Sequence, residues 1–117
     1  FSAYANTIEV SNRLIEENPD LIKRFIAASR LGWQDYLASD PQPAFDLIQQ
    51  LNPDMPSDKL AYAHQKMIEY NIVTGDNQKI GSMNADRWRE FYEMSLELGI
   101  YESEFDHEKA YTLEFSN

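Results

Sequence analysis

Residues 18–40, NPDLIKRFIAASRLGWQDYLASD, form the longest stretch of this chain with a clear helical period. Asn18 can cap the free amides of the first turn, and Pro19 suits the first helical position, where no amide hydrogen is needed. Pro41 then prevents the helix from continuing. The stretch therefore predicts a long helix with one broad apolar face. The residues of that face are Leu21, Ile22, Phe25, Ile26, Ala28, Ser29, Gly32, Trp33, Tyr36 and Leu37.

The middle of this face is built from small residues, Ala28, Ser29 and Gly32. A glycine inside a helix costs about 1 kcal/mol relative to alanine, so a packing reason is expected. We therefore predict that a neighbouring backbone approaches the long helix closely at this point.

Four further helices are predicted around the long one, together with a short N-terminal strand. Residues 4–10, YANTIEV, place strand-forming side chains at alternate positions, but the rest of the chain offers no second strand to pair with them. The fifth helix directs Trp88, Phe91, Tyr92, Ser95 and Leu96 inward. The predicted helices are 12–17 capped by Ser11, 42–51, 57–72 capped by Ser57, and 85–98 capped by Asn84 and ended by a left-handed Gly99.

Charge and composition restrict the classes of function. The 117 residues carry 20 acidic and 10 basic side chains, and this net charge of -10 repels phosphate backbones, so no nucleic-acid partner is expected. The length suffices for one domain with its own core. No apolar run is long enough for a membrane-spanning helix. The sequence contains no cysteine, which removes disulfides and thiol chemistry.

The polar side chains predict neither catalysis nor metal binding. His64 and His107 are far apart in the sequence, and neither has a second histidine one helical turn away. Asp76, Asn77 and Gln78 offer too few oxygens for a calcium loop. We therefore predict no catalytic residue, no metal ligand and no cofactor.

The aromatic residues on the helices allow two interpretations. Trp33, Tyr36, Trp88 and Tyr92 either pack in the core or stack against a flat ligand ring. Arg87, next to Trp88, either pairs with an acidic residue on another helix or binds a carboxylate or phosphate. The sequence leaves both alternatives open.

Several short patterns occur in a fixed order along the chain, and together they resemble the C-terminal part of a known group of proteins. They are YANTIEVS (4–11), the helix start Glu17-Asn18-Pro19, Gly32-Trp33 with Tyr36, Pro43-Ala44, Gly81-Ser82-Met83 followed by Arg87-Trp88, and the aromatic tail FDHEKAYTLEF (105–115). The group is the thiamine-precursor (hydroxymethylpyrimidine) family of periplasmic solute-binding proteins, relatives of the nitrate, sulfonate and taurine binders.

The resemblance implies a fold and a place for the site. This mainly α-helical chain, with about five helices and one N-terminal strand, would be the C-terminal portion of an α/β two-lobed binding protein of type II. Residues 1–11 would form a crossing strand or hinge, 12–105 the helical portion, and 106–117 a tail that packs on the first lobe. Tyr4 and Asn6 stand where the family lines its cleft, so they are the predicted ligand-binding residues.

The function implied by the resemblance is the capture of a small organic molecule, a thiamine-precursor pyrimidine or similar, in the periplasm or another extracytoplasmic space. An ABC transporter permease would be the partner. Two alternatives stay open: a ligand-sensing domain coupled to a signalling output domain, and an autonomous helical module that binds a partner protein. Fungal enzymes that resemble the family rely on a cysteine-rich motif, so this chain is not expected to be an enzyme. We also expect the isolated chain to self-associate through its apolar face.

Overall fold

The computed structural model describes residues 4–74, 79–101 and 105–116, and these residues are mainly α-helical. The predicted helices are confirmed in order, and each ends within about one turn of its predicted end. No helix in the described ranges is long and apolar enough to cross a membrane. The helices are α1 (Asn12–Glu17), α2 (Pro19–Ala38), α3 (Gln42–Leu51), α4 (Ser57–Glu69) and α5 (Ala85–Glu97), followed by one 3-10 turn (His107–Ala110).

Side-chain caps begin three of the helices as predicted. The fourth predicted cap is wrong, because Ser57 is itself the first residue of α4 and its hydroxyl donates to Gln49 Oε1 at 3.0 Å. The three confirmed bonds are Leu14 N–H to Ser11 Oγ at 3.2 Å, Leu21 N–H to Asn18 Oδ1 at 3.2 Å, and Arg87 N–H to Asn84 Oδ1 at 2.8 Å.

The C-terminal end of α5 has the predicted left-handed cap. Gly99 has a φ of +66°, and the amide of Ile100 donates to the carbonyl of Ser95 at 2.9 Å. This 6→1 bond satisfies a carbonyl that the end of the helix would otherwise leave unpaired. α4 ends in the same way at Asn71, whose φ is +50°, so this helix stops earlier than predicted.

The predicted N-terminal strand does not form. Residues 6–10 have no regular structure, and none of their backbone groups is hydrogen-bonded to a backbone group elsewhere in the described chain. A strand needs a second backbone beside it, and the described chain supplies helices and turns instead. The alternation of β-forming side chains in residues 4–10 therefore does not produce a strand in the described chain.

The chain divides into two compact units. Unit 1 contains Phe1–Arg24 and Ser82–Asn117, and unit 2 contains Phe25–Gly81, so the boundary lies within α2. In unit 1, α5 packs against the 3-10 turn, and in unit 2, α3 packs against α4. The buried apolar side chains are Ile22 and Phe115 in unit 1 and Phe45, Leu60 and Ile80 in unit 2.

The broad apolar face of α2 is covered much less than predicted. Ile22 is its single buried member, whereas Phe25 is 57% exposed. The close backbone neighbour predicted at Gly32 is absent from the described chain, because a Cβ added there would meet nothing within 4 Å. Part of this face of α2 is therefore open, including Phe25 and Gly32, while Tyr36 and Leu37 are half-buried.

Candidate ligand-binding site

A cavity of about 180 Å³ lies within unit 1, between the N-terminal segment and the first turns of α5. Its lining combines three aromatic residues with an arginine and a threonine, the mixture of apolar walls and a few polar groups that is typical of small-molecule sites. The lining residues are Tyr4, Thr7, Arg87, Trp88 and Phe91.

Tyr4, one of the two predicted ligand-binding residues, is fixed in the wall of this cavity. Its hydroxyl accepts a hydrogen bond from the backbone amide of Asn84 at 2.9 Å, across 80 residues of sequence. Its ring lies 5.4 Å from the ring of Trp88, centroid to centroid. Two independent contacts therefore hold the Tyr4 side chain against the start of α5.

Trp88 is the central ring of a three-ring arrangement. The ring of Tyr111 stacks on it at a centroid distance of 5.0 Å and an interplanar angle of 3°, while Tyr4 lies tilted by 43°. The indole Nε1–H is buried and has no hydrogen-bond acceptor in the part of the chain that the structure describes. A buried donor without a partner is rare in folded proteins.

Arg87 contributes positive charge to the cavity. Its guanidinium carbon lies 4.3 Å from the centroid of the Tyr4 ring, which places the charge over the electron-rich ring face. The neighbouring cation of α5, Arg89, is directed elsewhere and pairs with Asp86 at 2.8 Å. Of the two arginines, Arg87 is therefore the one that belongs to the cavity.

The second predicted ligand-binding residue, Asn6, is exposed and does not line the cavity. Its role in binding stays a prediction. Sequence reasoning did not assign Thr7 to the site, although the residue directly follows Asn6. In the predicted strand at residues 4–10, alternate side chains would point to opposite faces, so Thr7 would lie on the face opposite Tyr4. Without the strand, that alternation does not hold.

Unit 2 has its own aromatic cluster, which serves packing. The Nε2 of His64 lies 2.7 Å from the backbone carbonyl of Tyr36, so Nε2 donates the bond. The Tyr36 and His64 rings meet edge to face at 4.8 Å, and Phe45 lies against both. Burial raises the pKa of the Tyr36 hydroxyl above its usual value. For Tyr36, the core interpretation from the sequence therefore fits better than stacking on a ligand.

A second cluster in unit 1 holds the C-terminal segment to α5. The ring of His107 stacks on Tyr92 at 4.5 Å and 10°, and the Tyr92 hydroxyl accepts a hydrogen bond from the amide of Phe105 at 3.0 Å.

Among the described residues, no group of three or more histidine, aspartate or glutamate side chains is placed to hold a metal ion. The polar turn at residues 76–78 lies outside the described ranges.

Comparison with known proteins gives one curated relative. The chain is 32% identical over 120 aligned residues to the riboflavin-binding protein RibY of Chloroflexus aurantiacus. The alignment covers 98% of this chain and 34% of the relative, so the chain spans about a third of that protein's length. No family model and no solved structure matches the chain.

This comparison corrects the family suggested by the sequence patterns. The prediction that the chain belongs to the thiamine-precursor binding family is wrong, because no family model matches the chain and the curated relative is named for riboflavin. The patterns behind the resemblance are mostly helix starts, helix ends and helix-face aromatic residues. Such features recur wherever amphipathic helices pack, so they describe local structure better than ligand identity.

Proposed function

We propose that this chain is part of a protein that binds a small, flat heteroaromatic molecule, and that this molecule is riboflavin or a related flavin. The observation that carries the proposal is the 32% identity with a riboflavin-binding protein along 98% of this chain. Similarity along nearly the entire sequence favours a common structural role within a longer polypeptide. The aromatic walls of the unit 1 cavity support the same conclusion, because rings such as those of Trp88 and Phe91 favour flat ligands.

The proposed role is capture of the ligand without chemical conversion. The cavity offers aromatic walls, one guanidinium and hydroxyl groups, which would hold and orient a ligand without making or breaking a bond. In the longer protein, binding would stabilise one arrangement of its parts over another. We place this protein in an extracytoplasmic space, where a membrane transporter would recognise the ligand-bound arrangement. Fractionation of cells that express the longer protein checks the location, and recovery in the cytosol contradicts it.

Riboflavin titration tests the binding proposal directly. The longer gene product or the 117-residue chain is titrated into riboflavin, and flavin fluorescence is measured at each step. We expect saturable quenching by the longer protein, and weaker quenching by the chain because it holds only part of the structure. Adenosine, which is flat but has no ring carbonyl, serves as the competitor control. A longer protein that does not quench riboflavin fluorescence saturably contradicts the proposed function.

The alternative function is that of a helical module that binds a partner protein. The specific observation in its favour is the open face of α2, where Phe25 is 57% exposed. Apolar side chains exposed in a continuous patch mark interaction surfaces. Riboflavin binding that is unaffected by substitutions in the cavity, together with loss of a protein partner on substitution of Phe25, would favour this alternative.

A further inference from the structure

The polar groups around the unit 1 cavity are mainly hydrogen-bond donors. A guanidinium such as that of Arg87 has five N–H donors and no acceptor, so it can serve a ligand alongside partners within the protein. The Tyr4 hydroxyl already accepts from Asn84 at 2.9 Å, which leaves its own hydrogen to donate. A ligand that complements these groups is rich in acceptors.

The charge of the chain decides between anionic and neutral acceptors. With 20 acidic against 10 basic side chains, the chain repels anions at long range. A neutral ring carbonyl accepts hydrogen bonds without this repulsion, so it suits the cavity better than a carboxylate or phosphate.

The size of the cavity limits how much of a ligand it can hold. An apolar cavity of about 150 Å³ accommodates benzene, whereas sites for drug-sized ligands span roughly 300–1,000 Å³. At about 180 Å³, this cavity has room for one six-membered ring. A three-ring isoalloxazine would therefore enter with one end, and its remaining rings would extend beyond the cavity.

We propose that the cavity lined by Tyr4, Thr7, Arg87, Trp88 and Phe91 binds the dicarbonyl ring of a flavin, with the guanidinium of Arg87 and the hydroxyl of Thr7 donating to ring carbonyl oxygens. This assignment rests on the proposed function and adds the orientation of the ligand. The aromatic side chains contact the ring faces and edges. The dimethylbenzene end of the flavin points away from the five lining residues.

Flavin analogues test the orientation. Riboflavin is compared with its 3-methyl derivative, altered on the dicarbonyl ring, and with its 8-dimethylamino analogue, altered at the opposite end. We expect the 3-methyl derivative to bind the longer protein about 10-fold or more weakly, because the methyl group blocks the hydrogen-bonding edge in a cavity sized for one ring. The 8-dimethylamino analogue should bind within about 3-fold of riboflavin. The reverse order overturns the assignment.

Substitutions test the residues. Thr7→Val removes the hydroxyl at nearly constant volume, and Arg87→Met removes the charge while keeping an unbranched side chain. We expect riboflavin to bind about 3- to 10-fold more weakly to the Thr7→Val protein and about 10- to 100-fold more weakly to the Arg87→Met protein. Arg89→Met is the matched control, because Arg89 lies on the same helix but pairs with Asp86 outside the cavity. It should leave riboflavin affinity unchanged.

The outcomes separate this inference from the proposed function. Absence of riboflavin binding by the unsubstituted longer protein defeats the proposed function. Normal riboflavin affinity in both the Thr7→Val and Arg87→Met proteins, with thermal melting showing each to be folded, overturns the site assignment and leaves flavin binding in place. If Arg87→Met unfolds the protein, the Thr7→Val result and the analogue series decide, because neither depends on the Arg87–Tyr4 contact.

Discussion

Ser95 is a fully buried polar residue in the middle of α5, and its surroundings determine which substitutions it tolerates. Its hydroxyl donates to the carbonyl of Phe91 at 2.7 Å, one turn earlier in the helix. Ser95→Ala loses this bond, worth about 1 kcal/mol, but gains about half of that in helix propensity, so its net effect is small. Ser95→Leu inserts a large side chain where there is no space, and we expect a loss of about 1–3 kcal/mol.

Urea denaturation of the two Ser95 variants measures this difference. The free energy of unfolding should fall by less than about 1 kcal/mol for Ser95→Ala and by clearly more for Ser95→Leu. A Ser95→Leu protein as stable as the original would mean that the site is less tightly packed than the structure indicates.

Tyr36 gives a second prediction, on pH dependence. Burial raises the pKa of its hydroxyl, so the folded chain holds this proton more tightly than the unfolded chain does. The resulting contribution to stability is complete below the unfolded pKa of about 10 and is lost as the pH rises through the higher folded pKa. Above pH 10, the original protein should therefore lose more stability than Tyr36→Phe. Tyr62→Phe, made at an exposed position, is the matched control for removal of a tyrosine hydroxyl.

Two glycines show how the same substitution has opposite effects in different elements. Gly32 lies inside α2, where an added Cβ meets nothing within 4 Å, so Gly32→Ala should stabilise the 117-residue chain by about 1 kcal/mol. Gly99 ends α5 with a φ of +66°, which costs other residues about 1–2 kcal/mol, so Gly99→Ala should destabilise it. Gly99→Asn should be milder, because asparagine tolerates this conformation.

Thermal unfolding of the glycine variants tests these signs. The midpoint temperature of unfolding should rise for Gly32→Ala and fall for Gly99→Ala. Both changes add the same methyl group, so the opposite signs would reflect the different backbone conformations at the two positions. A fall for Gly32→Ala would show that something packs against this face of α2 in solution.

The open face of α2 leads to a prediction about the whole molecule. Large apolar side chains on this face remain exposed, with Phe25 at 57% and Trp33 at 41%, and extended apolar surface seldom remains in contact with water. We expect the 117-residue chain to self-associate at micromolar concentrations, despite its net charge of -10, which opposes association. Analytical ultracentrifugation should detect dimers or larger species.

A matched pair of variants identifies the surface involved. Phe25→Glu and Gln34→Glu each add one negative charge on opposite sides of α2, so they change net charge equally. Phe25→Glu should shift the population to monomer, whereas Gln34→Glu should have a smaller effect. Equal effects would attribute association to charge rather than to the apolar face, and a monomeric original chain would contradict the prediction.

The helices of this chain could be predicted closely because their signals are local. Asn18 with Pro19, Asn84, and Gly99 act on backbone groups within four or five residues, so their identity and spacing in the sequence are sufficient. The predicted N-terminal strand failed because a strand depends on a distant backbone that the described chain lacks. Burial was predicted less well, since a helical period shows which side chains share a face and not whether anything covers that face.

The sequence by itself determined the acidic character of this protein, its mainly helical structure and most helix ends, because composition and short-range hydrogen bonding depend on residues that are neighbours in the chain. It also singled out Tyr4, but without the residues that surround it. Only the tertiary structure decided that Tyr4 meets Trp88 and Arg87 around one cavity and that about half of the apolar face of α2 stays exposed. These arrangements depend on contacts between segments about 80 residues apart, as in the Tyr4–Asn84 hydrogen bond, and no local pattern specifies which distant surfaces meet.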